Sequence, residues 1–167
     1  CFAEPRNPEG RALLRMSKLT DYGTLILAYL GGRPGEIHST AEVAESTGLA
    51  ATTVSKLLKR LTRAGLVTSA RGAQGGYELA RPADQITAAE VLDALEGPVA
   101  LTACSQAEGL CELEAICLVG DAWQRVNVAI RRSLEEISLA QLTAGPGTPI
   151  RPPDFAAALG ASEPARS

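Results

Sequence analysis

The chain has 167 residues, a length that suits one domain with an accessory helix or tail. Hydrophobic residues make up 46% of it, enough for a core, yet no apolar run approaches the ~18 residues of a membrane span. Charged residues occur throughout positions 1–15 with no apolar run, so we expect these residues not to be a signal peptide. We therefore expect a cytoplasmic protein with no membrane partner, whose four cysteines are thiols or metal ligands rather than disulfides.

The net charge of −3 conceals a division along the chain. Residues 16–81 carry eight Lys and Arg against five Asp and Glu, whereas residues 82–167 carry five against twelve. A basic first half joined to an acidic second half predicts that only the first half contacts a polyanion.

The two ends of the chain have compositions that disfavour a fold. Residues 1–14 show little hydrophobic periodicity, and we expect them to form a disordered upstream extension in which Cys1 has no chemical role. Residues 143–167 contain five prolines among Gly and Ala, which predicts a disordered tail. The ordered part is therefore expected between these segments.

The first ordered elements are three predicted helices. An apolar stripe predicts a helix over residues 18–31, closed by two glycines. Ser39 and Glu42 have the spacing of a capping box, which opens a short helix that runs through Thr47 and stops at Gly48. The third helix covers residues 51–64, and its apolar positions follow the helical period.

A predicted hairpin and two further helices follow. The strands are residues 66–69 and 76–80, on either side of a glycine-rich turn. Thr87 and Glu90 form a second capping box, which opens a helix to about Leu95. A longer helix then carries an apolar stripe that packs against a second subunit or within one subunit: Trp123, Val126, Ile130, Leu134 and Ile137.

This order of elements is typical of a winged helix-turn-helix, in which the third helix reads DNA. Hydroxyl and basic side chains occupy the third helix opposite its aliphatic face, and an arginine occupies the hairpin turn, where it can reach a minor groove. The candidate contacts to a double-stranded DNA operator are Thr52, Thr53, Ser55, Lys56, Lys59, Arg60 and Arg71.

The same features are compatible with two other interpretations. A helix with polar residues outside is commonly just solvated, and a glycine-rich turn can hold a nucleotide phosphate. The nucleotide fingerprint needs a helix after the glycines, however, and a strand follows them here. The capped short helix, the basic helix and the hairpin arginine together favour DNA binding.

Three cysteines form a C-x6-C-x5-C run before the last helix: Cys104, Cys111 and Cys117. Thiolates suit iron–sulfur clusters, zinc or copper(I), but the wide spacing argues against a compact zinc knuckle. His38 is far away in sequence, and we expect it to be a surface loop residue rather than a fourth ligand. The polar neighbours of the cysteines favour ligands over buried free thiols.

The sequence resembles the Rrf2 family of winged-helix transcription regulators, which includes iron–sulfur-dependent and nitric-oxide-sensitive members. The matching segments are residues 14–23, 60–67 and 71–77, the three-cysteine run, and Trp123 six residues after Cys117. The start of the chain and the segment from Cys117 to Arg125 are most similar to regulators of the SUF cluster-assembly system. The resemblance covers residues 15–142.

The resemblance implies a mostly α fold with a small β-hairpin. A winged helix-turn-helix would cover residues 15–97, a cysteine loop that binds a cluster residues 98–119, and a long C-terminal dimerisation helix residues 120–142. It further implies a homodimer, in which each subunit binds half of an operator and the two-fold symmetry matches a palindromic site.

The resemblance also implies an iron–sulfur cluster held by Cys104, Cys111 and Cys117, with 2Fe-2S favoured and 4Fe-4S as the alternative. Gly120 stands where related regulators have a histidine, so the fourth ligand must come from elsewhere. The nitric-oxide-sensitive branch points to Asp21 of the partner subunit. An oxygen ligand holds iron less firmly than thiolate or imidazole and suits a labile, sensing cluster.

The function that follows is a non-enzymatic, cluster-sensing repressor of cluster-assembly genes. One alternative keeps DNA binding but replaces the cluster with a thiol-redox or nitric-oxide response in the same family. A further alternative is an iron–sulfur carrier, which would have no use for the basic third helix or for Arg71. We find no arrangement of residues typical of catalysis.

Overall fold

The computed structural model describes residues 17–72, 75–98 and 120–144. The segment 1–14, residues 99–119 of the cysteine loop with all three of its cysteines, and residues 145–167 of the tail lie outside the described residues. In the described ranges, the helices are all too short or too polar to cross a membrane.

The described chain is mostly helical with one small antiparallel sheet, which confirms the predicted fold class. The helices are α1 (Lys18–Gly31), α2 (Thr40–Thr47), α3 (Ala51–Arg63), α4 (Ala88–Leu95), α5 (Gly120–Glu135) and α6 (Leu139–Thr143). Strands β1 (Val67–Ala70) and β2 (Gly76–Leu79) follow α3, and a 3-10 turn (Ala83–Gln85) precedes α4.

Local hydrogen bonds that the sequence predicts fix the N-termini of two helices, α2 and α4. The Ser39 amide donates to the Glu42 carboxylate at 2.7 Å, and the Glu42 amide donates back to the Ser39 hydroxyl at 3.2 Å. Thr87 and Glu90 make the same reciprocal pair at the start of α4. Both predicted capping boxes are therefore confirmed, and each satisfies amides that a helix start leaves without acceptors.

The core lies where α1, α2, α3 and α4 meet. Its largest fully buried side chains include Ile26, Leu27, Leu58 and Leu61, and each is 0% exposed. Leu139, from the start of α6, is also 0% exposed and belongs to the same core. The C-terminal part of the chain is therefore packed onto the winged domain rather than merely attached to it.

The segment expected to form the dimerisation helix, residues 120–142, contains two helices. Helix α5 ends at Glu135, and Ser138 adopts an extended conformation and caps α6 through a third capping box with Gln141. The same turn bonds to the residues before α4, because Ala88 N donates to Ile137 O and Leu139 N donates to Ile86 O, both at 2.7 Å. Ile137 therefore lies beyond the helix whose stripe it was expected to complete.

A bidentate ion pair fixes the C-terminal half of α5 against α4. The Arg131 guanidinium donates to both carboxylate oxygens of Asp93, at 2.8 and 3.1 Å. Residues 122–125, near the start of α5, are all exposed by contrast, and Trp123 among them is 44% exposed.

Helices α1 and α4 approach so closely that only glycine fits at one position. A side-chain carbon placed at Gly23 would lie 2.4 Å from a methyl group of Leu95, which is itself fully buried. Residue 23 therefore sets the distance between these two helices.

We expect Gly23→Ala to destabilise the protein by ~1–3 kcal/mol, because the added methyl overpacks the contact with Leu95. Urea unfolding would measure this loss. Gly32→Ala is the matched control, since its nearest new contact would be an ordinary 3.6 Å. The Leu95→Ala background should reduce the penalty of Gly23→Ala, and an unchanged penalty there would contradict the packing explanation.

Candidate nucleic-acid interface

The turn between α2 and α3 positions α3 as the second helix of a helix-turn-helix. Gly48 ends α2 in the left-handed conformation, with φ 70°, which glycine adopts without steric cost. Four aliphatic side chains then hold α3 on the core, and each is at most 2% exposed: Val54, Leu57, Leu58 and Leu61. The opposite side of α3 therefore faces solvent.

The outward face of α3 is basic and carries no acidic side chain. Thr52, Lys56, Lys59 and Arg63 lie on successive turns and are exposed. No side chain caps the N-terminus of α3, so amides of its first turn remain available to an external acceptor such as a phosphate.

Three other predicted contact residues lie on the flanks of this face. Thr53 and Ser55 are half-buried at the edges of the exposed strip. Arg60 is directed toward α4, where its Nε donates to the Ala94 carbonyl oxygen at 2.8 Å. The structure thus brings most of the predicted residues onto one surface, whereas Arg60, although exposed, also donates a hydrogen bond to α4.

The wing is a hairpin with a third, single-residue strand. Ser69 pairs with Tyr77 in the antiparallel register of β1 and β2. On the other side of β2, His38 N donates to Tyr77 O at 3.0 Å, and Tyr77 N donates to His38 O at 2.8 Å. Arg71 follows β1 directly and is exposed, as its predicted position in the wing requires.

His38 is not a surface residue, contrary to the sequence prediction. It is 8% exposed, and its Nδ1 lies 3.3 Å from the Tyr29 hydroxyl. Its Nε2 has no hydrogen-bond partner and lies 3.6 Å from a carboxylate oxygen of Glu36. The pairing of His38 with Tyr77 explains the burial, because it draws the loop before α2 onto the wing.

The predicted oxygen ligand, Asp21, lies in the first turn of α1. Its side chain is exposed on the rim of a cavity of about 370 Å³ between α1, α4 and the end of the chain, which is otherwise mostly apolar. Among the described residues the Asp21 carboxylate makes no hydrogen bond or ion pair.

The three predicted cysteine ligands lie outside the described residues. Within residues 17–72, 75–98 and 120–144, no three His, Cys, Asp or Glu side chains come together as metal ligands.

A basic helix beside a hairpin wing defines this protein as a winged-helix DNA-binding transcription regulator rather than an enzyme. Residues 16–145 match the Rrf2 family of iron-dependent transcriptional regulators, and the chain belongs to that family. The predicted resemblance to the family is confirmed, while the closer similarity to SUF regulators stays a prediction.

Three solved structures illustrate the relationship. CymR, described as the global cysteine regulator of B. subtilis, is 30% identical with a TM-score of 0.60, and the match covers 78% of this chain and 97% of that one. IscR from T. potens is 30% identical with a TM-score of 0.57, covering 77% and 85%. The oxidised form of Staphylococcus aureus CymR is 28% identical with a TM-score of 0.55, covering 79% and 98%.

We expect Lys56→Gln and Lys59→Gln each to weaken DNA binding at every sequence, because each removes a positive charge from the exposed face of α3. The slope of log affinity against log salt should fall by about 0.9 for each substitution. Lys18→Gln, on α1, makes the same chemical change away from the outward face of α3 and should leave the slope unchanged. Equal salt slopes for all three variants would show that α3 does not contact the DNA.

We expect Gly76→Ala to detach the wing from His38, because the new side-chain carbon would lie 2.5 Å from the His38 carbonyl oxygen. The Tyr77 amide, which donates to that oxygen, should exchange with deuterium faster, and affinity for DNA should fall. Hydrogen exchange and a binding titration measure the two effects. Retained protection at Tyr77 would show that the wing does not depend on this contact.

Proposed function

We propose that this regulator represses transcription through an operator contact made by α3 and the wing, in a homodimer that senses an iron–sulfur cluster. The exposed basic face of α3 carries the DNA-binding part of the proposal. Thr52, Lys56 and Lys59 would contact the major-groove side, with Thr53 and Ser55 at its edges, and Arg71 would contact the minor groove.

The homodimer is supported by the N-terminal half of α5. Residues 122–125 are all exposed, and Trp123 is the large apolar side chain among them. A second copy of α5 packed across this half would bury that surface and place two winged domains against one palindromic operator.

The sensing part is supported by the donor set of the chain. Cys104, Cys111 and Cys117 supply three thiolates, and the exposed Asp21 of the partner subunit supplies a carboxylate. Thiolates with one weaker oxygen ligand suit an iron–sulfur cluster that is readily lost, with the 2Fe-2S form favoured. Cluster-assembly genes of the SUF type are the proposed target, because a regulator of them must report whether clusters are available.

Anaerobic purification tests the cluster directly. We expect visible charge-transfer bands with matched iron and acid-labile sulfide, which each single change Cys104→Ser, Cys111→Ser and Cys117→Ser abolishes. Cys1→Ser is the matched control and should leave the spectrum unchanged. A colourless protein that cannot be reconstituted would overturn the cluster proposal.

The origin of the fourth ligand can be tested with mixed dimers. A subunit with Asp21→Asn is combined with a subunit in which all three loop cysteines are serine. If the carboxylate comes from the partner subunit, each mixed dimer has one complete site and holds half of the wild-type iron. If the carboxylate comes from the same subunit, the mixed dimer has no complete site and the ligand assignment across the dimer is wrong.

Sensing requires that the two states of the protein bind DNA with different affinity. We expect removal of the cluster to weaken operator binding at least about tenfold at fixed salt, which corresponds to ~1.4 kcal/mol of coupling. Equal affinities of the loaded and stripped protein would contradict the proposed switch.

A thiol-based response is the second candidate, and the similarity to two CymR structures favours it. One of those proteins is described as a cysteine regulator and the other was solved in an oxidised form. This candidate expects cluster-free protein to lose operator affinity on oxidation and to recover it with a thiol reductant. The cluster proposal expects no such reversible change in stripped protein.

A further inference from the structure

The C-terminus of α4 presents the Ala94 carbonyl oxygen to a side chain of α3. Helix α4 ends at Leu95, Gly97 has φ 95°, and Pro98 follows. Proline has no N–H, so it cannot donate to the Ala94 carbonyl four residues earlier. The Nε of Arg60, on α3, donates to that oxygen at 2.8 Å and places a positive charge at the negative end of α4.

The next residue of the same helix end binds the start of α1. A carboxylate oxygen of Glu96 accepts from the Ser17 amide at 3.1 Å and from the hydroxyls of Ser17 and Thr20. The hydroxyl of Ser17, then that of Thr20, holds the pKa of Glu96 below its ordinary value of 4.5, so the carboxylate is ionised at neutral pH. The positive charge of Arg60 acts on Glu96 in the same direction.

We propose that Arg60 and Glu96 are positioning residues that fix the DNA-reading helix α3 to α1 through the C-terminus of α4. Arg60 would then influence operator affinity without touching a phosphate. The sequence pattern of α3 suggests that Arg60 contacts DNA directly. The hydrogen bond from Arg60 to Ala94 instead assigns it a role inside the protein.

The hydrogen bonds at the C-terminus of α4 connect the proposed cluster site to the DNA-binding surface of α3. This coupling rests on the proposed function. The chain leaves α4 at Gly97 and Pro98, and Cys104 follows eight residues after Glu96. Asp21 follows Thr20, which donates to Glu96. A change at Asp21 would thus act through Thr20 on Glu96, and through the C-terminus of α4 and Arg60 on the position of α3.

The salt dependence of DNA binding separates positioning from phosphate contact. We expect Arg60→Gln to lower operator affinity about fivefold, the equivalent of ~1 kcal/mol for a lost hydrogen bond, with an unchanged salt slope. Lys59→Gln, one residue earlier, is the matched variant that should lower the slope by about 0.9. A slope reduced equally by Arg60→Gln would show that Arg60 contacts a phosphate and would overturn the proposal.

A double-mutant cycle tests the connection between the two residues. We expect Glu96→Gln to lower operator affinity about threefold alone but less than about 1.5-fold when Arg60→Gln is present, because both act through one helix end. Asp84→Asn, on the exposed 3-10 turn, is the control and should have no effect. Additive effects of the first two changes would overturn the proposal.

Arg60→Lys keeps the experiment interpretable if Arg60→Gln unfolds the protein. Lysine retains a donor and a charge, so we expect folding and part of the operator affinity to be restored. If both variants fold, positioning is contradicted when Arg60→Lys binds the operator no more tightly than Arg60→Gln, or when both bind it as tightly as the wild type.

A comparison of operator affinity between cluster-loaded and cluster-stripped protein tests the sensing part separately. If the loaded and stripped wild-type proteins bind the operator equally, the proposed sensing is refuted but the positioning role is not. If their affinities differ and the same difference persists in Glu96→Gln, the proposed route through Glu96 is refuted.

Discussion

The close contact between Gly23 and Leu95 governs how the helices of this protein are placed. It brings α1 against α4, and α4 in turn contacts α3, α5 and α6. Arg60 of α3 meets its C-terminus, Arg131 of α5 meets Asp93 on its side, and the turn before α6 bonds to its first residues. A short helix of eight residues is therefore the common support of the DNA-binding face and the C-terminal part.

The features that the sequence predicted correctly depend on neighbours along the chain. The capping boxes at Ser39 and Thr87 involve residues three apart, and the left-handed Gly48 needs only its own lack of a side chain. The aliphatic face of α3 follows from helical periodicity alone, and so its outward basic face was predictable as well. Local chemistry was sufficient for these elements.

The features that the sequence did not predict depend on residues far apart in the chain. Arg60 bonds to a carbonyl 34 positions away, and Glu96 bonds to Ser17 across 79 positions. His38 is buried because Tyr77 pairs with it, a contact that no periodicity indicates. The end of α5 was different, since Ser138 and Gln141 already had the spacing of a capping box; the apolar stripe through Ile137 obscured that signal.

Trp123 gives the protein a built-in optical reporter. It is the only tryptophan in 167 residues, and it is 44% exposed at the start of α5, six residues after Cys117. Its fluorescence therefore arises from one place, with no second indole to dilute the signal. An apolar neighbour would shift its emission to shorter wavelength, and a nearby coloured centre would quench it. Titration of the unlabelled protein can thus follow the environment of α5 at concentrations too low for most structural methods.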